Sequence, residues 1–315
     1  MSITNTSILS APIQQSFSLK LLSVPTPNLI HKIPAELKSM PRNGGRILRM
    51  RRYNPLATAP VPLGNSGVSP PPQTLTAINV DATMDFYGTF ILINEQVTLQ
   101  AQDPILNEAS QRLGVSLRQT EDELMSSMLA STASFINCVS GLNGDNPTEI
   151  TRGDVDNVVR TLRGNNAYSF LSGVEGENKF GTAPVRDAYF ALGHTDMIGQ
   201  LDAVQGFVQK WSYPSMSSTL DAEWGTVANL RFLLSSIGST TPNASLLGAT
   251  VYNIFVAGRE SYAAIEQDGY SASFIYRPPI YDGALALNCS VGYKFSECPR
   301  ILNDQWVYNM RCTLA

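Results

Sequence analysis

Histidine and cysteine are scarce in this chain, with two and four residues out of 315. The cysteines, Cys138, Cys289, Cys298 and Cys312, have no C-x-x-C spacing, and with so few histidines no zinc-type ligand set can be composed. Free, mostly buried thiols are the expectation, Cys289 and Cys298 included. Charge is sparse too, at 15% against 43% apolar residues, which argues against disorder throughout. No apolar run approaches about 18 residues, so no membrane helix is expected. Met1–Gln15 lacks the charged-then-apolar order of a secretory signal, so folding in a cytoplasm is expected. No phosphate-binding glycine loop, H-E-x-x-H, G-x-S-x-G or calcium-loop pattern occurs, and Gly173–Gly176 and Asn143–Asn146 read as turns. His194 has Asp187 and Asp196 near in sequence, but no nucleophile or base is signalled beside it, and it reads as a helix-cap residue. No catalytic, metal-binding or cofactor-binding residue is therefore assigned, no cofactor is expected, and the chain is not read as an enzyme.

What the chain does have is 19 prolines, 23 glycines and a lopsided charge. Residues 1–52 hold eight Lys/Arg against one acid, Glu36, while the remainder holds 14 basic and 25 acidic residues. A basic arm lying across an acidic neighbour and a solvated basic tail both fit that asymmetry. Residues 1–41 are rich in Ser, Thr and Pro, with one short apolar cluster at Leu19–Val24. Such an arm cannot bury a core alone, and is either disordered or ordered on a neighbour. Arg46–Tyr53 alternates basic and apolar residues as a strand with a basic face. A loop tip with Pro60, Pro62 and the triplet Pro70-Pro71-Pro72 follows, since three prolines exclude a central strand. Alternation returns at Ile78, Val80, Ala82, Met84 and Phe86 and runs on to Ile93, giving an extended, projecting hairpin.

Asp103-Pro104 opens the clearest helix, as N-cap and first helical position. Leu106, Leu113, Leu117, Leu124 and Met128 recur at spacings of seven and four over 104–131, an apolar stripe on a strut about 40 Å long. Glu121-Asp122 reads as its solvated face. A second helix starts at Thr151, with Asp154 three residues on, carries Val155, Val158, Val159 and Leu162, and stops at Gly164. Strands are expected at Val185–Ala191, Gly225–Ser235 and Val251–Val256, a short helix near Thr195–Leu201, and a closing pair of strands at Ala284–Val291 and Gln305–Cys312. Helix and strand interleave without a βαβ rhythm, so the class is α+β.

The arginines Arg42, Arg46, Arg49, Arg51 and Arg52 allow two readings. Phosphate neutralisation would make them a nucleic-acid contact. The acidic chain as a whole and the lack of a stacking platform favour bidentate pairing with carboxylates at a protein interface.

Five segments in order carry a resemblance. They are R-I-L-R-M-R-R-Y-N-P-L from Arg46; P-P-P-Q-T-L-T-A-I-N-V-D-A-T-M-D-F-Y-G-T-F-I-L-I-N with Tyr87-Gly88; D-P-I-L from Asp103 to Leu106; H-T-D-M-I-G-Q-L at 194–201; and E-W-G-T-V-A-N-L-R-F-L-L-S-S with Gly225, Thr226 and Arg231. With the ending at 287–314, this order resembles the N-four-type major capsid family of tailed phages. The resemblance implies the Hong-Kong-ninety-seven-like capsid fold, with residues 1–45 as N-terminal arm and 46–95 as extended loop. It implies a peripheral domain at 96–165 and 286–315 carrying the spine helix, and an axial domain at 166–285. It further implies self-assembly into hexamers and pentamers of an icosahedral head built in the host cytoplasm. That head would enclose double-stranded DNA without sequence-specific binding, with a separate scaffolding protein, a portal and room for a decoration protein, and no membrane. Arg46, Arg49, Arg51, Arg52, Tyr53, Pro70, Pro71 and Pro72 become the candidate inter-subunit contacts. An encapsulin-type nanocompartment, separated by its enzyme cargo, and a basic-arm nucleic-acid-binding module are the alternative readings, with a hydrolase the weakest.

Overall fold

The computed structural model describes residues 26–58, 72–94, 96, 105–171, 187–213, 219–242, 244–245, 248–270, 272–278 and 287–314. Helix α1 runs Ile105–Ala130, 26 residues and about 39 Å long. Asp103 and Pro104 lie outside the described residues. The helix buries Ala109, Leu113 and Leu117, then shifts phase to Met125 and Leu129, leaving Leu124 and Met128 on the flank of the buried face. The shift has a cause in packing. The first half of α1 lies on one sheet and the second half on another, so no single straight stripe serves both.

Strands are numbered in chain order. A five-stranded sheet holds β1 (Glu36–Met40), β4 (Asp85–Asn94), β14 (Tyr262–Gln267), β15 (Ser273–Arg277) and β16 (Asn288–Ile301). The fourteen residues of β16 are long enough to pair with β4 along one edge and with β15 and then β14 along the other. Side chains alternate across it. Cys289, Val291, Tyr293 and Phe295 meet Ala109, Leu113 and Leu117 of α1. The Tyr87-Gly88 pair sits where β4 meets β16. Tyr87 packs on Phe295 with ring centroids 5.5 Å apart, and a Cβ on Gly88 would stand 2.6 Å from the Tyr293 carbonyl oxygen.

The second sheet has ten strands: β5 (Phe135–Val139), β6 (Leu142–Asn143), β7 (Phe170–Leu171), β8 (Asp187–His194), β9 (Val208–Gln209), β10 (Glu223–Val227), β11 (Leu230–Ser235), β12 (Thr240–Thr241), β13 (Val251–Ala257) and β17 (Val307–Thr313). Its central order is β5-β17-β13-β8-β11-β10, with β8 and β11 parallel. Helices α2 (Arg152–Gly164) and α3 (Ile198–Ala203) cover one face through Val155, Val158, Leu162 and Leu201. The C-terminal half of α1 covers the other, with Met125 and Leu129 against Phe255, Leu192 and Val307. Thr151 caps α2 as its sequence implies. The fully buried Asp154 carboxylate accepts from the Thr151 N–H at 2.9 Å and from the Val139 and Gly141 N–H groups at 3.2 and 2.7 Å, so the cap also ties α2 to the β5–β6 turn.

Two parts of the chain differ from the sequence expectations. The closing strands do not pair with each other. β16 belongs to the five-stranded sheet, whereas β17 crosses to the ten-stranded sheet between β13 and β5. Likewise β14 and β15 join the five-stranded sheet. The arm also differs. Residues 26–40 lie on their own chain, with Ile30 and His31 fully buried and β1 pairing in parallel with β14. Residues 1–25 lie outside the described residues.

Candidate functional site

Strands β2 (Ile47–Tyr53) and β3 (Ala77–Thr83) form the hairpin, but its second strand ends at Thr83 rather than running on to Ile93 as the alternation implies, because Asp85–Asn94 pairs with β16. The tip, including Pro70 and Pro71, lies outside the described residues. One face anchors it. Leu48, Met50, Ala82 and Met84 pack on Met40, Ala263, Ile265 and Cys298 of the five-stranded sheet. The other face carries Ile47, Arg49, Arg51 and Tyr53 outward. Arg49 donates to both oxygens of its cross-strand partner Asp81, at 2.7 and 2.8 Å. These hydrogen bonds hold the Asp81 carboxyl below its usual value and raise the guanidinium. Arg46 donates to Asp85 at 2.5 Å and to the Met84 carbonyl at 3.2 Å, and Arg51 to Asn79 at 3.1 Å. Among the described residues neither Arg51 nor Arg52 has a carboxylate partner. Arg52 instead lines a cleft of about 530 Å³ under the hairpin, with Ile78, Val80, Met128, Arg300 and Leu302. Tyr53 and Pro72 are exposed.

Apolar exposure on this side is broad. Ile47, Tyr53, Leu56 and Leu75 stand out on the hairpin, and Phe86, Phe90 and Leu92 on β4, with Phe90 65% exposed. Phe86, Phe90 and Leu92 share the face of the sheet opposite α1, and Ile275 of β15 stands across from Phe90 with Gly292 between them. Among the described residues the hairpin base covers the β1–β14 end of this face, and at the β4–β15 end Phe86, Phe90, Leu92 and Ile275 stay exposed. Contiguous exposed apolar surface of this kind marks interaction sites. Sequence reasoning passed over Phe86, Phe90 and Leu92. The signal lay in Phe90-Ile-Leu-Ile93, apolar in both phases of the alternation, which is the pattern of a strand meant to be covered on both faces.

A second cluster was also missed, and it corrects the reading of Glu121-Asp122 as a solvated face. Asp122 is 1% exposed. It accepts from the His31 backbone N–H at 2.8 Å and lies 2.7 Å from His31 Nδ1. Lys32 Nζ reaches Glu121 at 3.3 Å, Glu266 at 2.9 Å and Glu297 at 3.3 Å. Tyr262 donates to the His31 carbonyl at 2.6 Å, and Ser235 donates to the Asn28 carbonyl. Two residues of the arm thus satisfy acids from a helix and two strands. Burial pushes Glu297 up to about 7, with Lys32 opposing the rise and Glu121 and Glu266 adding to it.

Other sequence candidates have structural work. His194 Nδ1 accepts from the Asp196 N–H at 3.1 Å and Nε2 lies 3.0 Å from the Ser236 carbonyl, so both ring nitrogens serve backbone groups. All four cysteines are free and buried. Among the described residues no cluster of three or more His, Cys, Asp or Glu could hold a metal, and no helix is long and apolar enough to cross a membrane. Gly225 of the Gly-Thr-x-x-x-x-Arg segment admits β9, since a Cβ there would stand 2.5 Å from the Val208 carbonyl oxygen. Arg231 of the same segment is buried against Glu223, at 2.9 and 2.5 Å.

No protein-family model matches the sequence, and no curated protein does. Solved structures do match. The capsid of Ralstonia phage GP4 superposes with a TM-score of 0.72 at 12% identity, covering 96% of both chains. The capsid asymmetric unit of cyanophage Pam1 gives 0.66 at 14% identity, covering 99% of both chains. The acid-stable capsid of Helicobacter pylori bacteriophage KHP30 gives 0.64 at 11% identity, over 100% of this chain and 98% of that one. At such identities the likeness is one of fold, and the chain has the mixed α/β fold of phage capsid subunits.

Proposed function

We propose that the chain is the major capsid protein of a tailed bacteriophage, of the Hong-Kong-ninety-seven-like fold and the N-four-type family, and that it assembles with itself into the icosahedral head around double-stranded DNA. The observation that carries this reading is the match of capsid subunits to nearly the whole chain. The exposed apolar and arginine-bearing hairpin supports it, because a subunit that stayed alone would leave this surface to water. In this reading residues 1–45 are the N-terminal arm, 46–95 the extended loop, 96–165 with 286–315 the peripheral domain and 166–285 the axial domain. The role is structural, not enzymatic. Hexamers and pentamers close by repeating heterologous contacts, and many weak contacts sum to a stable shell. Arg51, Arg52, Tyr53 and Pro70–Pro72 meet carboxylates and apolar groups of the adjacent subunit, with Arg46 and Arg49 already tied to Asp85 and Asp81 of their own chain. A scaffolding protein and a portal act alongside, in the host cytoplasm.

Sedimentation of the expressed chain tests the proposal. Megadalton particles that carry DNA when made during infection support a phage head. Particles that carry an enzyme instead identify a nanocompartment, and a chain that only sediments as a monomer overturns both.

A further inference from the structure

The buried ion cluster at the arm is built in a way that stability alone does not call for. Glu297 is 1% exposed, and among the described residues neither of its carboxyl oxygens receives an aligned hydrogen bond. Its neighbours across the sheet are acids on both sides, Glu266 on β14 and Asp85 on β4. Glu121 faces the cluster from α1, and Arg46 neutralises Asp85 but reaches no further. The cation that serves Glu297 is Lys32, and Lys32 belongs to the arm. Like charges directly opposite on paired strands repel, and a buried carboxylate without donors is costly. The arm segment that closes this site, residues 26–40, otherwise holds through Ile30, the His31–Asp122 pair and the five-residue pairing of β1 with β14.

We propose that Lys32 with Glu121, Glu266 and Glu297 forms a proton-operated clasp that holds residues 26–40 on the subunit in mildly acidic solution and loosens as the solution turns alkaline. With the arm in place Glu297 keeps its proton up to about pH 7, whereas a solvated glutamate loses it near 4.5. Closing the clasp therefore takes up a proton between those values. The stabilisation is complete at the acid end and is lost as pH rises through about 7. Above that point the ionised Glu297 faces Glu121 and Glu266 with one lysine among three carboxylates. The clasp concerns the subunit itself and stands whether or not the chain encloses DNA. Its consequence for an assembly is that residues 26–40 become free to reach a neighbour as pH rises.

Hydrogen–deuterium exchange on the full chain tests it, read on peptides spanning residues 27–41 and corrected for intrinsic rate. Between about pH 6 and pH 8.5 the opening of this segment should rise about 10-fold, opening releasing the Glu297 proton only below about pH 7. Peptides from β13 should not change. Glu297→Gln, which mimics the protonated carboxyl, should keep the segment protected at both values. Glu121→Gln should move the wild-type midpoint to lower pH, because it removes a neighbour that raises Glu297. Equal protection of wild type at both pH values overturns the proposal, as does a Glu297→Gln chain that opens like wild type. If Glu297→Gln does not fold, the wild-type comparison and the Glu121→Gln midpoint still decide it, since an unmoved midpoint contradicts the clasp.

Discussion

Arg231→Met is the substitution whose cost the structure specifies best. Arg231 and Glu223 are side chains 1% and 0% exposed, joined by two charge-assisted hydrogen bonds between β10 and β11. The guanidinium also lies 5.5 Å from the centre of the Phe190 ring. Glu223 has two further donors, the Tyr213 hydroxyl at 3.0 Å and the Leu220 N–H at 3.2 Å. Burial, then the adjacent Glu223, pushes the Tyr213 hydroxyl up, which keeps it a donor. Methionine preserves much of the volume and the contact with Phe190 but leaves a buried anion with neutral donors alone. Breaking one side of a buried pair costs about 3–5 kcal/mol, a large part of the roughly 5–15 kcal/mol that holds a domain folded. Replacing both partners, Arg231→Met with Glu223→Gln, removes the stranded charge and should recover more than half of the loss. Urea denaturation followed by tryptophan fluorescence measures this, since Trp224 lies on β10 itself. The reasoning is refuted if Arg231→Met lies within about 1 kcal/mol of wild type, or if the double variant is as unstable as the two single losses added.

Other outcomes follow from the same geometry. Asp154→Ala strands the Thr151, Val139 and Gly141 N–H groups together and should destabilise the fold by about 2–4 kcal/mol in the same assay; a loss under about 1 kcal/mol would contradict the cap. A thiol reagent at pH 8 should find none of the four cysteines in the folded chain and all four after denaturation, because all are buried and burial pushes Cys312 up to about 12 and Cys138 and Cys298 upward. Rapid labelling of the native chain would refute this. Charge reversal at Arg51 and Arg52 should block assembly while leaving the far-ultraviolet circular dichroism and the unfolding midpoint unchanged. Reversal at Arg49 should also disturb the hairpin by repelling Asp81, and normal particles from the Arg51/Arg52 variant would exclude these residues from the contact.

Features that depend on near neighbours were legible in the sequence. The Thr151–Asp154 cap, the strut helix with its repeats of seven and four, and the hairpin with its proline-rich connection all rest on partners within a few turns or one loop. What escaped was set by distance along the chain. His31 meets Asp122 ninety-one residues away and its carbonyl meets Tyr262 at 231, so no periodicity could reveal that the arm has a home site. Glu121-Asp122 looked solvated because a stripe drawn on one straight helix ignores that α1 crosses from one sheet to the other. The closing strands looked like a pair because both alternate. Only the three-dimensional course sends β16 and β17 to different sheets. For the candidate surface, the arginines were named from sequence, but which of them are already engaged by Asp81 and Asp85 was not readable without the register of β2 on β3.

The measurement that bears most directly on the account is negative-stain electron microscopy of the chain expressed alone and together with its neighbouring genes. Closed icosahedral shells or uniform hexamers and pentamers are expected. A folded monomer under every condition would contradict it.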